Sequence, residues 1–154
     1  MSRRVALTVL VAHVLFGCGS ASEEPVVFPA DYAATYQQVR TCRFSLDHDL
    51  IYIRVLASPD ALAPYTGRAA PFPAGAIVLK EQYGDSDTTC AGPIVNFTVM
   101  QKLDVGSSPA MLDWDWQKVT ADHHPVDTEI MRCTQCHMGC GKPPEGYDGT
   151  CTVP

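Results

Sequence analysis

The chain has 154 residues, of which 46% are hydrophobic and 18% are charged, and its net charge is −6. This length suits one folded domain, and the composition is too apolar for a wholly disordered chain. The negative charge and the lack of a basic run argue against nucleic acid as a partner. The 12 prolines and 11 glycines favour many turns and short elements over a helical bundle.

Residues 1–17 have the three parts of a lipoprotein signal peptide. Two arginines supply the positive start, and residues 5–16 form an apolar stretch that is too short to span a bilayer. The small residues that follow resemble a bacterial lipobox, with cleavage before Cys18 and acylation of its side chain. Ordinary secretion with cleavage near Ala21 is the alternative.

Acylation of Cys18 would make residues 18–28 a lipidated tether and residues 29–154 the folded domain. Several acyl chains give stable attachment, whereas a single chain is marginal. Gly19 follows the cysteine, and by resemblance to Gram-negative lipoproteins this favours the outer membrane. The sequence therefore predicts a lipid-anchored domain of the cell envelope that faces the periplasm.

The first half of the domain combines helical and strand patterns. Residues 30–42 have helical spacing, which predicts a helix with Tyr32, Tyr36 and Val39 on one side. Residues 50–56 alternate as a strand does. The segment Ser58-Pro59-Asp60 resembles an N-cap followed by proline in the first helical turn, so a short helix is expected there.

The residue pattern in the second half of the domain predicts three more strands and a final helix. The predicted strands cover residues 76–83, 94–103 and 111–119, with a turn at residues 84–87. Residues 126–137 are expected to form a helix that is capped by Asp127 or Thr128, and residues 139–154 a loop. Together these elements predict an α+β fold, an antiparallel sheet with helices at its ends.

The last predicted helix ends in Cys-Thr-Gln-Cys-His, the C-x-x-C-H signature of c-type haem attachment. Two thiols on one helical turn can each add to a haem vinyl group, and the following imidazole can bind the iron from the same side. The second nitrogen of that imidazole should donate to a carbonyl or carboxylate, which fixes the ring. The predicted ligands of one covalent haem c are therefore Cys133, Cys136 and His137, with His137 on the metal.

Two other interpretations of this motif stay open. Zinc could be bound by Cys133, Cys136, His137 and Cys140, although no second C-x-x-C or H-x-H pair accompanies them. A plain disulfide would not need the histidine, and secreted thiols are usually oxidised. Haem attachment takes place outside the cytoplasm, which agrees with the export segment.

The remaining cysteines suggest two disulfides. The chain has seven cysteines, and setting aside Cys18 and the two in the motif leaves Cys42, Cys90, Cys140 and Cys151. Four cysteines allow three pairings. We favour Cys140–Cys151 with Cys42–Cys90, because the first pair closes a short loop rich in glycine and proline.

Three segments precede the C-terminal C-x-x-C-H motif: residues 72–81 (FPAGAIVLKE), 98–102 (TVMQK) and 113–116 (DWDW). With these segments and the motif, the chain from residue 28 to residue 137 resembles the cytochrome P-460 family, which also contains the cytochrome c′-beta proteins. A Phe-Pro-x-Gly segment, an aliphatic run, Lys-Glu and a terminal C-x-x-C-H follow the order of the family. The extra cysteines and residues 140–154 depart from it.

This resemblance implies a β-rich, usually dimeric protein whose five-coordinate haem has histidine below and an open distal site. In P-460 members a lysine is cross-linked to the haem edge and hydroxylamine is oxidised, with electrons passing to a periplasmic acceptor. In c′-beta members the link is absent, and the haem binds nitric oxide or carbon monoxide. The functions left open are an oxidoreductase, a gas-binding module and a six-coordinate electron carrier.

The candidate catalytic residues are Lys80 and Glu81. Strand alternation places them on opposite faces unless a bulge intervenes. Lys80 could be the cross-linking lysine, which must lose its proton to act as a nucleophile, and the alternative is a solvated strand lysine. Glu81 could accept a proton from a distal N–H or O–H substrate, and the alternative is a carboxylate at the rim.

Other side chains could supply a sixth iron ligand or pack the haem. The histidine candidates are more typical of surface loops and the methionine candidates of core positions. The candidates are His48, His123, His124, Met100, Met111, Met131 and Met138. Trp114 and Trp116 are expected to pack the core or a dimer contact, with haem stacking as the lesser alternative.

Overall fold

The computed structural model describes residues 24–126, 130–140 and 146–151. These residues form an α+β fold on a six-stranded antiparallel sheet whose strands are arranged in chain order. The strands are β1 (Gln37–Ser45), β2 (Ile51–Ala57), β3 (Ile77–Tyr83), β4 (Asn96–Lys102), β5 (Trp114–Thr120) and β6 (Pro125–Val126). The helices are α1 (Tyr32–Thr35), α2 (Pro59–Gly67) and α3 (Ile130–Met138), and a short 3₁₀ turn covers Pro109–Met111. The predicted α+β class with an antiparallel sheet is confirmed.

Strand β3 is buried along its whole length because both faces of the sheet are covered. Its residues alternate between two hydrophobic clusters, with Val78 in one and Ile77 and Leu79 in the other. We call the side of Val78 the cavity face and the side of Leu79 the closed face. Each large aliphatic side chain buried in these clusters contributes about 1.5–3 kcal/mol to folding.

The cavity face packs against α2 and the segments that follow the sheet. Its cluster contains Ile53, Val55, Ala57, Ala61, Tyr65, Phe72, Ala76, Val78, Met100, Trp114 and Trp116. The closed face is covered by the segment that leads into α1. Its cluster contains Phe28, Tyr32, Leu56, Ile77, Leu79, Phe97, Val99 and Val119. Trp114 and Trp116 therefore belong to the core of the cavity face, and the expectation that they pack the core is confirmed.

The predicted helix over residues 30–42 is wrong beyond its first turn. The backbone of Tyr36 is already extended, and the chain continues as β1, paired with β2. Two register shifts, between Gln38 and Arg40 and between Arg40 and Arg43, interrupt the two-residue alternation that would have marked a strand. Only the pairing with β2, which is a tertiary contact, settles the conformation.

The other predicted elements are present with shifted ends. Helix α2 begins after Ser58 as expected, although the Ser58 hydroxyl accepts from the backbone N–H of Ile77 at 2.9 Å and caps no backbone group of its own helix. The third predicted strand starts later, because Leu112 and Asp113 adopt left-handed backbone conformations and β5 begins only at Trp114.

Both favoured disulfides are present, Cys42–Cys90 and Cys140–Cys151. The signal peptide, Cys18 and the two cap candidates Asp127 and Thr128 lie outside the described residues. Among the described parts of the chain, no helix combines the length and the apolar character that crossing a membrane would need.

Candidate functional site

A cavity of about 680 Å³ lies between the cavity face of the sheet and helix α3. This volume falls within the range of small-molecule and cofactor sites. All six strands contribute to one wall, α3 supplies another, and the loop from β1 to β2 forms part of the rim. The wall is apolar at Ile53, Val78 and Met100, and polar where β3 and β4 continue.

Helix α3 presents the predicted haem-binding residues to this cavity. Cys133, Cys136 and His137 all line it, as expected for positions i, i+3 and i+4 of one helix. Neither cysteine is in a disulfide. Burial raises the pKa of the Cys133 thiol, so this sulfur stays protonated. The structure thus brings two thiols and one imidazole to the same side of an enclosed space.

The His137 imidazole is neutral and is held by its neighbours. Its Nδ1 donates to the backbone carbonyl of Gly149 at 2.5 Å, which leaves Nε2 without a proton. Burial, reinforced by the positive charge of Lys80, lowers the pKa of His137 to about 4. The Trp116 ring packs against it with centroids 4.6 Å apart. The prediction that the second nitrogen meets a carbonyl is therefore confirmed.

The segment around Gly149 is anchored to the sheet. The Trp114 indole donates to the carbonyl of Asp148 at 2.9 Å, and the Asp148 carboxylate lies 3.0 Å from the Lys102 ammonium. Gly149 has a φ of +79°, and a Cβ there would come within 3.3 Å of Trp114 and Leu112. Only glycine at this position therefore brings the carbonyl within hydrogen-bond distance of His137 without displacing Trp114 and Leu112.

Lys80 projects from the cavity face of β3 into the cavity. It is 9% exposed, and its ammonium lies 2.8 Å from Nε2 of His48, whose Nδ1 lies 2.8 Å from the Ser45 hydroxyl. Burial, with the nearby Arg43, lowers the pKa of Lys80 to about 8, so an appreciable fraction is the free amine at mildly alkaline pH. Burial and Lys80 lower the pKa of His48 to about 3.

Glu81 lies on the closed face, away from the cavity. Its carboxylate accepts from the Tyr32 hydroxyl at 2.9 Å, the Tyr83 hydroxyl at 2.7 Å and Nε of Arg54 at 2.5 Å. Glu81 is 1% exposed. The structure therefore separates the two candidate catalytic residues, as the alternation of β3 required, and gives Glu81 a complete set of partners within the fold.

The cavity wall includes buried polar atoms that the described residues leave unpaired. They are Oε1 of Gln82, Oγ1 of Thr98 and Nε1 of Trp116. An unpaired buried polar atom costs about 1–3 kcal/mol, so a ligand or ordered water is the expected partner. Sequence alternation already placed Gln82 beside Lys80, but the register that brings Thr98 opposite Lys80 was not readable from the sequence.

Positive charge is concentrated at the cavity. Of the 11 lysines and arginines of this acidic chain, four line it, Arg43, Lys80, Lys118 and Arg132, against two carboxylates, Asp47 and Asp49, so positive charge is in excess. Asp49 lies 3.4 Å from the Lys118 ammonium and 3.9 Å from the Arg132 guanidinium. An anionic group would be attracted to this rim. This concentration was not readable from the sequence, because the four residues are far apart in the chain.

The remaining ligand candidates are dispersed. His123 packs against the rings of Phe28 and Phe97 on the closed face, and His124 is exposed beside Asp122. The four candidate methionines lie in different places: one lines the cavity, one contacts Thr134 and two are on the surface. Met100 lines the cavity, the Met111 sulfur accepts from the Thr134 hydroxyl at 2.9 Å, and Met131 and Met138 are exposed. Of the histidine candidates, His48 lies in the cavity, with its ring 6.3 Å from that of His137.

A cluster of possible metal-binding groups adjoins the cavity. One ligand atom each of His137, Cys140 and Cys151 lies within 4.8 Å of the others. The two cysteines are joined to each other, however, and a disulfide offers no thiolate to a metal ion. Zinc binding by this cluster would therefore require reduction of the disulfide.

Comparisons with known proteins give no relative, since no family model and no curated protein matches the chain.

Proposed function

We propose that the protein is a cytochrome P-460-like protein of the cell envelope that carries one covalent haem c. The single observation that carries this proposal is the convergence of Cys133, Cys136 and His137 on one cavity, with both thiols free and the imidazole neutral. The cavity volume of about 680 Å³ and its mixture of apolar walls and basic rim suit a flat, largely apolar cofactor with two carboxylates.

Each residue of the site then has a defined task. Cys133 and Cys136 would form the thioethers, and His137 would bind the iron through Nε2 while Gly149 holds its ring. Arg43, Lys118 and Arg132 would attract the propionates. The haem would supply an open iron that binds hydroxylamine or nitric oxide and the redox chemistry that passes electrons to an external acceptor.

If the protein belongs to the hydroxylamine-oxidising type, Lys80 is the residue at which a bond to the haem edge would form. That C–N bond would replace an amine N–H and a haem C–H, with two electrons passing to an added oxidant such as a peroxide. The burial of Lys80, its position in the cavity that Cys133 also lines and its lowered pKa support that role. The location of Glu81 does not support a direct contact with substrate, so we assign it no step. The two disulfides are typical of an oxidising compartment, which supports export, whereas the lipid anchor at Cys18 is proposed from the lipobox-like sequence alone.

The test is to produce the protein with the cytochrome c assembly machinery and to ask whether its pigment resists acidified acetone. We expect covalent haem, lost in the Cys133→Ser/Cys136→Ser variant and kept in a matched Cys140→Ser/Cys151→Ser variant. Proteolysis should show whether the haem also stays attached to the peptide that contains Lys80. A colourless protein with stoichiometric zinc, lost when Cys140 is replaced, would overturn the proposal in favour of a metal site.

A six-coordinate electron carrier is the second candidate, and the position of His48 across the cavity from His137 favours it. Both nitrogens of His48 are engaged, by Ser45 and by Lys80, and this pairing favours an open iron. The optical spectrum of the reduced protein separates the two. A high-spin spectrum that His48→Leu leaves unchanged supports the open site, whereas a low-spin spectrum that becomes high-spin in His48→Leu supports the carrier.

A further inference from the structure

The cavity face carries a small polar patch within an otherwise apolar wall. Lys80 on β3 pairs directly with Thr98 on β4, and Gln82 follows two residues along β3 on the same face. The neighbouring pair in the same two strands is apolar, Val78 with Met100. The patch therefore consists of three polar side chains from two adjacent strands, and all three line the cavity.

Two members of this patch each have one polar atom without a partner in the described fold. Oε1 of Gln82 and Oγ1 of Thr98 are buried without a hydrogen-bond partner among the described residues. Gln82 is 1% exposed, so bulk water does not satisfy it. Leaving such an atom unpaired opposes folding, and an apolar side chain of similar size would avoid that cost. These atoms are therefore placed where a bound molecule can pair with them.

We propose that Gln82, with Thr98 beside it, orients a small ligand that carries N–H or O–H groups, an inference that rests on the proposed haem site. The amide oxygen of Gln82 can only accept a hydrogen bond, and the Thr98 hydroxyl can accept or donate. Hydroxylamine has hydrogens on both nitrogen and oxygen, whereas nitric oxide and carbon monoxide have none. The Gln82 oxygen thus favours hydroxylamine over the diatomic gases.

The experiment measures two dissociation constants by optical titration of the haem protein in the absence of an electron acceptor. The ferric form is titrated with hydroxylamine and the ferrous form with carbon monoxide. In Gln82→Leu we expect hydroxylamine to bind about tenfold more weakly, the size of one neutral hydrogen bond. Carbon monoxide should bind within about twofold of the wild-type value, since it has no hydrogen to donate.

Matched variants separate this effect from a general change of the sheet. Gln82→Glu keeps an acceptor oxygen at the same position and should retain hydroxylamine binding. Thr98→Val should weaken hydroxylamine binding by a smaller factor. Gln101→Leu makes the same replacement on β4, outside the residues that line the cavity, and should change neither constant.

Thermal unfolding of the ligand-free holoprotein supplies a readout that does not depend on turnover. If Gln82 serves a ligand, Gln82→Leu should keep or raise the unfolding midpoint, because it removes an unpaired buried group. A lower midpoint would show a structural role and would overturn the inference, as would unchanged hydroxylamine affinity in a protein that carries haem. A protein without covalent haem would overturn the proposed function and this inference together.

Discussion

On the closed face of β3 the Glu81 carboxylate accepts from three donors, whereas on the cavity face the next residue, Gln82, has an amide oxygen without a partner among the described residues. Both side chains are almost fully buried. The difference shows that burial alone does not mark a functional group. A buried charge with every partner supplied by the fold stabilises the sheet, while buried polar atoms left unpaired beside a cavity point to a ligand.

Removing a disulfide should have the largest effect on stability, and the two disulfides again allow a position away from the cavity to be compared with one beside it. Cys42–Cys90 spans 48 residues and joins two positions that are not among the cavity-lining residues, whereas Cys140–Cys151 spans 11 and closes the segment that carries Gly149. Chain entropy predicts a loss of about 4 kcal/mol in the free energy of unfolding for the Cys42→Ser/Cys90→Ser variant, and about 3 kcal/mol for Cys140→Ser/Cys151→Ser.

The two variants should also differ in the reduction potential of the proposed haem. Loosening the Gly149 carbonyl weakens its bond to Nδ1 of His137, which makes the proposed iron ligand less basic and should raise that potential. Urea unfolding and a redox titration of both variants measure these effects. Equal potentials in the two variants would show that the C-terminal segment does not tune the site.

Adjacent residues of β3 allow the same substitution on both faces. Glu81→Leu removes three hydrogen bonds to a carboxylate and leaves two tyrosine hydroxyls unpaired, and we expect it to cost about 3 kcal/mol of folding free energy. Lys80→Leu removes one contact with His48 at the cavity and should change stability by no more than about 1 kcal/mol. Denaturant unfolding of the holoprotein gives both values. If Lys80→Leu were as costly as Glu81→Leu, Lys80 would be a structural residue.

The comparison also shows what the sequence could and could not predict. The C-x-x-C-H motif and the alternation of β3 are local patterns, so Cys133, Cys136 and His137 were placed together and Lys80 was separated from Glu81. The two disulfide pairings followed from counting cysteines and from loop length. Each of these inferences depends on spacing within a few residues or on a small set of possible pairings.

The rest of the site depends on tertiary register. Thr98 faces Lys80 only because β3 and β4 pair as they do, and Gly149 meets His137 only because Trp114 and Lys102 anchor the last segment. The strand β1 was mistaken for helix because its two register shifts hide the alternation of a strand. Sequence periodicity does not encode such long-range pairing.

The smallest expected effect is on the pH dependence of stability: the polar groups of the closed face should make the protein less stable at alkaline pH. Burial, together with the hydrogen bond and charge of Glu81, raises the pKa of Tyr32 and Tyr83 above the usual value of 10. In the unfolded chain these phenols ionise near 10, so the unfolded state releases their protons first as the pH rises. The stability they contribute is therefore complete below pH 10 and is lost as the pH rises towards their folded-state pKa.

Replacing Tyr83 by phenylalanine tests this expectation, because the variant removes one of the two phenols and its link to Glu81. Wild-type protein should lose more of its urea midpoint between about pH 8 and about pH 11 than Tyr83→Phe does, since the variant has one raised phenol fewer. A Tyr32→Phe/Tyr83→Phe variant should lose the least. An equal loss in all three proteins would mean that the alkaline transition belongs to groups outside the Glu81 network, and that the closed face does not hold its polar groups as rigidly as its hydrogen bonds indicate.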